Sequence, residues 1–173
     1  MTAQIANGGY KIQPKILTDD NQLTSEQVKK AMEDSKSNDF YEPLYDDQKN
    51  IRIIQEAMFS STNEIMGTSY KSRIDDPKYQ FAGKTGTAQV KRISKREREL
   101  DLKTFQIPYE ERDHALYVAY GPYTNPRYAL SIIVEHGGSG STAAAPMATK
   151  LFKLIVDRHE YRKQLPEYKD FSI

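Results

Sequence analysis

The pattern of apolar and polar residues predicts a helix tail, a second helix and a strand in the first half of the chain. The opening TAQIANGG indicates the end of a helix that stops at Gly8 and Gly9, because glycine adopts the left-handed conformation that often follows a last helical turn. From Asn50, apolar residues at helical spacing predict a helix that ends before Gly67. These apolar residues are Ile51, Ile54 and Met58. Residues 79–90 combine β-forming residues with two glycines and predict a strand whose glycines admit another backbone close by.

The second half of the chain predicts a hairpin and then a long helix. Two nearly continuous apolar runs, 114–120 and 128–136, flank a turn that contains proline, glycine and asparagine, so we predict a β-hairpin that is buried on both faces. A helix with Ser141 or Thr142 as its cap follows. Its apolar residues at helical spacing are Ala148, Leu151, Phe152 and Ile155. The order of elements predicts an α+β fold with an antiparallel three-stranded sheet and a long C-terminal helix.

Two other segments are predominantly polar. Residues 19–50 predict loop with one brief helix capped by Thr24, and residues 91–113, with seven basic and six acidic residues, predict a long solvated loop. The hydrophobic fraction of 38% is low for 173 residues, which otherwise suit a single domain. Either long loops or a larger fold, whose apolar complement lies elsewhere, would explain this fraction.

Charge and cysteine content exclude several classes of protein. The formal net charge is +1, whereas nucleic-acid binders and polybasic membrane binders depend on a surplus of positive charge. The absence of cysteine excludes disulfides, thiolate zinc sites and a cysteine nucleophile. No stretch approaches the roughly 20 apolar residues of a membrane span, and the N-terminus lacks the features of a secretory signal. The chain by itself is therefore predicted to be soluble and cytoplasmic.

The sequence does not complete any of the nucleotide-binding or metal-binding motifs that it partly resembles. Gly83-Lys84-Thr85 ends like a phosphate loop, but that loop requires glycine where Lys78 stands. The glycines at 138 and 140 precede a helix as in a dinucleotide fingerprint, yet no parallel strand can follow that helix, so a tight strand-to-helix turn is favoured. The histidines, none of them at a metal-ligand spacing, are His114, His136 and His159. We predict no cofactor and no metal.

The segment AGKTGT carries the candidate chemistry. Lys84 places a positive charge on the predicted strand, Gly86 leaves room for a peptide to lie along it, and the next backbone N–H can point at a developing oxyanion. K-T-G on a strand is typical of serine acyl-transfer enzymes, where it acts together with Ser-x-x-Lys and Ser-x-Asn. The triplet alone is weak evidence because three common residues often occur by chance.

Further blocks around the triplet make the signal specific. These blocks are IANGG at 5–9 followed by Pro14, GTSY at 67–70, AGKTGTAQV at 82–90, RDHALYVAYGP at 112–122 and NPRYALSIIVEHGGSGSTAAAPMA at 125–148. In them the chain resembles the penicillin-binding proteins, and within that family the elongation type called penicillin-binding protein 2. The resemblance implies that residues 1–156 form the C-terminal portion of a transpeptidase domain and residues 157–173 a polar C-terminal tail.

The resemblance also implies roles for four residues of the strand. Lys84, Thr85, Gly86 and Thr87 look like the third active-site motif of the family. Lys84 would polarise the serine motifs, and Thr85 and Thr87 would hydrogen-bond the terminal carboxylate of a D-Ala-D-Ala stem peptide or of a β-lactam. The Thr87 N–H would be one of two oxyanion donors.

Unlike members of the family, the chain lacks the nucleophilic serine of the Ser-x-x-Lys motif. No serine has lysine three residues later, so we expect the chain alone to be inactive. Thr68 and Lys71 have the spacing of the motif but begin it with threonine, which we interpret as chance. Ser61-Thr62-Asn63 imitates Ser-x-Asn but lies at a helix end where the family has no catalytic motif, so we interpret it as a decoy.

The resemblance implies a fragment of a peptidoglycan D,D-transpeptidase that works in cell-wall cross-linking at the periplasmic face of the inner membrane. Its partners would be the stem peptide, β-lactams and the missing N-terminal half of the domain, with no nucleic acid. The alternative is a non-catalytic binding or interaction domain that retains a remnant of the fold. In the family a further strand pairs with the outer side of the strand at 128–136, so this edge would be open in the chain alone and would favour self-association.

Overall fold

The computed structural model describes residues 1–11, 43, 47–92, 99–100 and 102–164. Within these ranges the helices are α1 (Thr2–Ala6), α2 (Gln48–Asn63) and α3 (Ala145–Gln164). The strands are β1 (Ala82–Ala88), β2 (His114–Gly121) and β3 (Tyr128–Val134). Short 3-10 turns occur at Tyr70–Ser72, Thr104–Gln106 and Tyr109–Glu111. The predicted α+β order of helix tail, helix, strand, hairpin and long helix is confirmed.

The strands form one antiparallel sheet in the order β1-β2-β3. In its register, Thr85 lies opposite Tyr117, and Tyr117 lies opposite Ile132 on the other side. Directly opposed residues of antiparallel strands share a face of the sheet. β2 is therefore the central strand, and β1 and β3 form the two edges of the sheet within the described residues.

One face of the sheet packs against α3. Phe81, which precedes β1, stacks on Phe152 of α3 with 4.7 Å between ring centroids, and it meets the Tyr117 ring edge-on at 6.5 Å. Small residues of β2, of α3 and of the turn directly before α3 fill the remaining space, which lets the helix approach the strand closely. They are Ala115, Ala119, Ala144, Ala145 and Ala148. This face holds the larger apolar core.

The opposite face is covered by α1 and α2. Met58 of α2 packs with Ala82 and Tyr120, and Ile5 of α1 lies against the same cluster. The Gln55 side chain donates to the Ile5 carbonyl oxygen at 2.7 Å and ties the two helices together. The Tyr120 hydroxyl group is buried and has no hydrogen-bond partner within the described part of the chain.

Helices α1 and α2 end where the sequence predicted. Gly8 and Gly9 follow α1, each at φ +91°, a conformation that favours glycine. Helix α2 begins after Asp47, whose carboxylate accepts from the Lys49 N–H at 2.8 Å, and it ends at Asn63, before Gly67 as predicted. The brief helix predicted at Thr24 lies outside the described residues.

The prediction that both strands of the hairpin are buried on both faces is wrong for β3. Its residues alternate, so that Tyr128, Leu130, Ile132 and Val134 pack against the α3 face. On the other face Ile133 is 63% exposed, and among the described residues no β3 side chain joins the apolar cluster of Met58, Ala82 and Tyr120. A continuous apolar run does not distinguish one buried face from two. Ile54 and Leu151, predicted on apolar helix faces, are about 40% exposed.

The start of α3 also differs from the prediction of a Ser141 or Thr142 cap. A π-helical turn at Gly140–Ala144 precedes α3, and no side chain caps it. The Thr142 hydroxyl instead donates to the Ser139 carbonyl oxygen at 3.3 Å. Hydroxyl residues compete for local backbone groups in several ways, so their presence alone does not fix the capping residue.

Helix α3 continues past residue 156, where the sequence indicated the domain boundary, to Gln164. Asp157 fixes this part of the helix, because its Oδ1 accepts from the Tyr79 hydroxyl at 2.6 Å and from Lys78 Nζ at 3.0 Å. These two donors, Tyr79 first, hold the pKa of the Asp157 carboxyl below its usual value. Among the described helices, none is long and apolar enough to cross a membrane.

One face of β3 is exposed and no further strand pairs with its outer edge among the described residues, so we expect the 173-residue chain to self-associate. Ile133→Lys should raise the soluble monomer fraction in sedimentation velocity, because it places charge on the exposed apolar face beside this edge. Leu154→Lys adds the same charge at an exposed site on α3 and should leave association unchanged. A wild-type chain that is monomeric at high concentration and melts cooperatively would contradict this account.

Candidate functional site

Strand β1 carries the residues singled out by the sequence at one edge of the sheet. Side chains alternate along a strand, so Thr85 and Thr87 lie on the face that Tyr117 occupies, while Lys84 and Gly86 lie on the other. Lys84 and Thr87 are exposed, and Thr85 and Gly86 are half-buried. As an edge strand, β1 directs alternate backbone N–H and C=O groups away from β2.

The Lys84 ammonium folds back onto its neighbour. Its Nζ donates to the Thr85 carbonyl oxygen at 2.9 Å and lies 3.4 Å from Thr85 Oγ1. Within the described part of the chain, Lys84 forms no ion pair with a carboxylate. The strand edge therefore presents a positive charge beside a hydroxyl group.

A row of exposed hydroxyl groups continues from Thr85 toward the end of α2. Thr68 Oγ1 lies 3.2 Å from Thr85 Oγ1 and 3.2 Å from Ser61 Oγ. Thr68 belongs to the GTSY segment, whose chemical contribution the sequence did not indicate. We refer to Ser61, Thr68 and Thr85 as the hydroxyl row.

Beneath this row lies a second, buried set of hydroxyl groups, those of Thr62, Ser69 and Tyr117, which we call the buried hydroxyl cluster. The Tyr117 hydroxyl lies 2.9 Å from Thr62 Oγ1 and 3.1 Å from Ser69 Oγ. Thr62 also donates to the carbonyl oxygen of Gly83 at 3.3 Å, and Ser69 to that of Ser61 at 3.0 Å. Burial raises the pKa of the Tyr117 phenol, and the hydrogen bonds to Ser69 and Thr62 act in the opposite direction.

Asn63 adds a further link between α2 and the strand. Its Nδ2 donates to the Phe81 carbonyl oxygen at 2.9 Å and to the Phe59 carbonyl oxygen at 3.0 Å. Thr62 and Asn63 thus attach the end of α2 to the backbone at the start of β1. In this structure Ser61-Thr62-Asn63 forms contacts that hold β1 in position.

Two glycines allow these contacts. A Cβ on Gly83 would overlap the Tyr117 hydroxyl, and a Cβ on Gly67 would overlap the carbonyl oxygens of Ser60 and Ser61. The expectation that the glycines of β1 admit another backbone therefore needs correction, because Gly83 makes room for a side chain of β2. Close backbone approach occurs at Gly140, where a Cβ would lie 2.7 Å from the Gly86 carbonyl oxygen.

The histidines and the glycine-rich turn have structural contacts. The His136 N–H donates to His114 Nδ1 at 2.9 Å, and the Gly138 N–H donates to the Asp113 carbonyl oxygen at 2.8 Å. Gly138 has φ +79°, as suits a tight turn between β3 and α3. Among the described residues, no three histidine or carboxylate side chains come together as they would around a metal ion.

The arrangement of β1, the hairpin and α3 matches a known domain. Residues 1–153 match the family described as the penicillin binding protein transpeptidase domain. The chain belongs to this family. It is 30% identical over 168 residues to the peptidoglycan D,D-transpeptidase MrdA of Haemophilus influenzae, covering 91% of this chain and 25% of the relative. It is 37% identical over 105 residues to MrdA of Salmonella typhimurium, covering 61% of this chain and 16% of the relative.

Solved structures agree with this membership. The complex between penicillin-binding protein PBP2 and MreC of Helicobacter pylori superposes with a TM-score of 0.63 at 28% identity, covering 92% of this chain and 24% of that one. PBP2 of Pseudomonas aeruginosa, in complex with WCK 5153, gives a TM-score of 0.56 at 27% identity over 88% of this chain and 28% of that one. The chain thus spans about a quarter of these penicillin-binding proteins, and the PBP2-type resemblance found in the sequence is confirmed.

The sequence singled out Lys84, Thr85, Gly86 and Thr87 as site candidates but neither Thr68 nor the buried hydroxyl cluster. Thr62 and Tyr117 are 55 residues apart in the chain, so no local spacing predicts their contact. One available signal was Gly67, since a glycine directly after a helix often permits a close approach of two segments.

The overlap at Gly83 predicts a stability effect. Gly83→Ala should lower the free energy of unfolding by about 1–3 kcal/mol, because the new methyl group must displace the fully buried Tyr117 side chain. Gly86→Ala is the matched control on the same strand, since its Cβ would lie 3.3 Å from the Leu116 Cβ and should cost less. Urea denaturation followed by circular dichroism measures both, and equal losses would contradict the assigned role of Gly83.

Proposed function

We propose that this chain supplies the carboxylate-binding strand of a peptidoglycan D,D-transpeptidase. The observation that carries the proposal is the Lys84 ammonium beside Thr85 on the edge strand β1, where Lys84 Nζ lies 2.9 Å from the Thr85 carbonyl oxygen and 3.4 Å from Thr85 Oγ1. A cation and hydroxyl donors that converge at one strand edge suit a carboxylate, because charge-assisted hydrogen bonds are stronger than neutral ones.

Each residue of the motif has a distinct part in binding. Thr85 and Thr87, on one face of β1, donate their hydroxyl protons to the terminal carboxylate of a D-Ala-D-Ala stem peptide or to that of a β-lactam. Gly86 leaves space over the strand for the peptide. The outward backbone groups of this edge strand can pair with an extended peptide, as exposed sheet edges do in other proteins.

The chemical step needs a serine from outside these residues, because no serine of the chain has lysine three residues later. In that step the serine oxygen attacks the carbonyl carbon of the penultimate D-alanine, and the terminal D-alanine leaves with a proton on its amine. A neighbouring stem amine then attacks the acyl-serine ester, forms the cross-link and frees the serine. Lys84 stabilises developing negative charge, and the Thr87 N–H is one of two donors to the oxyanion.

The relatives support this function and its setting. The two MrdA relatives are named peptidoglycan D,D-transpeptidases, and the two PBP2 structures share the fold of this chain. The complete enzyme then acts at the periplasmic face of the inner membrane. Residues 1–156 form the C-terminal portion of its transpeptidase domain, residues 157–164 continue the last helix, and the N-terminal portion is the partner that brings the serine.

Removing the Lys84 charge tests the proposed function. The chain is joined to the N-terminal part of a penicillin-binding transpeptidase domain that carries Ser-x-x-Lys, and acylation is followed with a fluorescent penicillin. Lys84→Ala should slow acylation by a factor of about 10²–10³, as expected when a donor aimed at developing charge is lost. Lys150→Ala, an exposed lysine on α3, is the control and should acylate at the wild-type rate.

The 173-residue chain alone provides the second control. Intact-mass spectrometry should find no penicilloyl adduct on it, because the motif strand has no nucleophile of its own. Stoichiometric acylation of the isolated chain, or unchanged kinetics in Lys84→Ala, would contradict the assignment of β1 as the carboxylate-binding strand of a serine acyl-transfer site.

A further inference from the structure

We propose that Thr68 is a positioning residue: its hydroxyl donates to Thr85 Oγ1 and directs the Thr85 proton toward the carboxylate of the ligand. This inference rests on the proposed function, because it concerns how the same carboxylate is bound. The contact that suggests it joins Thr68 Oγ1 and Thr85 Oγ1 at 3.2 Å, and either oxygen could be the donor by distance alone.

The donor and acceptor capacities of the groups select one direction. A threonine hydroxyl has one proton to donate and can accept two hydrogen bonds. Lys84 Nζ, 3.4 Å from Thr85 Oγ1, can only donate, and a ligand carboxylate can only accept. If Thr85 binds the carboxylate, its single proton is used there, so Thr68 must be the donor in the contact with Thr85.

The hydrogen bonds of the hydroxyl row then all run in one direction, from Ser61 through Thr68 to Thr85. Thr68 gives its proton to Thr85, which leaves its own oxygen free to accept from Ser61 Oγ, 3.2 Å away. Hydrogen bonds that run in one direction polarise each other and strengthen the last member of the chain. The last member here is the Thr85 hydroxyl, so Thr68 strengthens the bond to the carboxylate without touching the ligand.

The backbone holds Thr68 in this position from both sides. Gly67 lies directly against the last turn of α2, where a side chain would overlap two carbonyl oxygens. Ser69 is buried and bonds twice to the Ser61 carbonyl oxygen, through its N–H and its hydroxyl, each at 3.0 Å. Thr68 itself is exposed and lies between these two anchored residues, so its hydroxyl can be changed with little effect on packing.

Three variants distinguish the effect of the Thr68 hydroxyl group from the effect of the side-chain shape. Thr68→Val keeps the shape and removes the hydroxyl, Thr68→Ser keeps the hydroxyl, and Ser61→Ala removes only the neighbour that donates to Thr68. The binding probe is an acetylated peptide that ends in D-alanyl-D-alanine, and its C-terminal amide is the control ligand. Affinities are read from the amide chemical shifts of β1 in the 173-residue chain, and thermal melting checks that each variant stays folded.

Thr68→Val should bind the carboxylate peptide about three- to tenfold more weakly than wild type, whereas Thr68→Ser and Ser61→Ala should stay within about twofold. Affinity for the amide peptide should be the same in all four proteins. Equal or tighter binding of the carboxylate peptide by Thr68→Val would overturn the proposal. That result is expected if Thr68 accepts the Thr85 proton, because removing the Thr68 hydroxyl would then release this proton for the ligand.

Neutron diffraction of deuterated crystals that hold the carboxylate peptide observes the direction of this hydrogen bond directly. The proposal places the Thr68 deuteron between the two oxygens and the Thr85 deuteron away from Thr68. A Thr85 deuteron that points at Thr68 Oγ1 would overturn it. If wild type binds neither peptide, the proposed function fails; if it binds the carboxylate peptide while the Thr85 deuteron points at Thr68, only the role of Thr68 fails.

Discussion

The site depends on the Tyr117 hydroxyl group, which joins three separate parts of the molecule beneath β1. It lies 2.9 Å from Thr62 of α2 and 3.1 Å from Ser69 of the following segment, and Thr62 reaches the Gly83 carbonyl oxygen of β1. All three hydroxyl side chains are almost fully buried, so each requires hydrogen-bond partners to offset its lost hydration. The requirement that all three be satisfied together fixes the distance between α2 and β1.

This buried hydroxyl cluster makes the exposed row above it possible. Because Ser69 and Thr62 are anchored, their neighbours Thr68 and Ser61 are held at the surface beside Thr85. The Lys84 charge reaches Thr85 from the other face of the same strand. In this chain two layers of hydroxyl groups thus support β1, a buried layer that sets the strand position and an exposed layer above it.

The sequence predicted the helices and strands that contain long apolar runs. It did not predict which faces are buried or which distant side chains meet, because these depend on the folded chain. The hairpin and α3 could be placed because their apolar runs are long, and Lys84 to Thr87 could be identified because they belong to a block with a recognisable order. The exposed face of β3 could not be predicted, since the apolar run around Ile133 is continuous. Tyr117 and Thr62 meet only in the folded chain, 55 residues apart, so no local spacing indicates their contact.

Native-state hydrogen exchange of the β1 amides tests most directly whether the Tyr117 hydroxyl holds the strand. Tyr120→Phe is the matched control, because its buried hydroxyl has no partner among the described residues and its loss should cost little. The account predicts that Tyr117→Phe accelerates exchange in Ala82–Ala88 well beyond any change in Tyr128–Val134, and that Tyr120→Phe does not. Equal exchange of Ala82–Ala88 in the two variants, or uniform acceleration across the sheet in Tyr117→Phe, would contradict it.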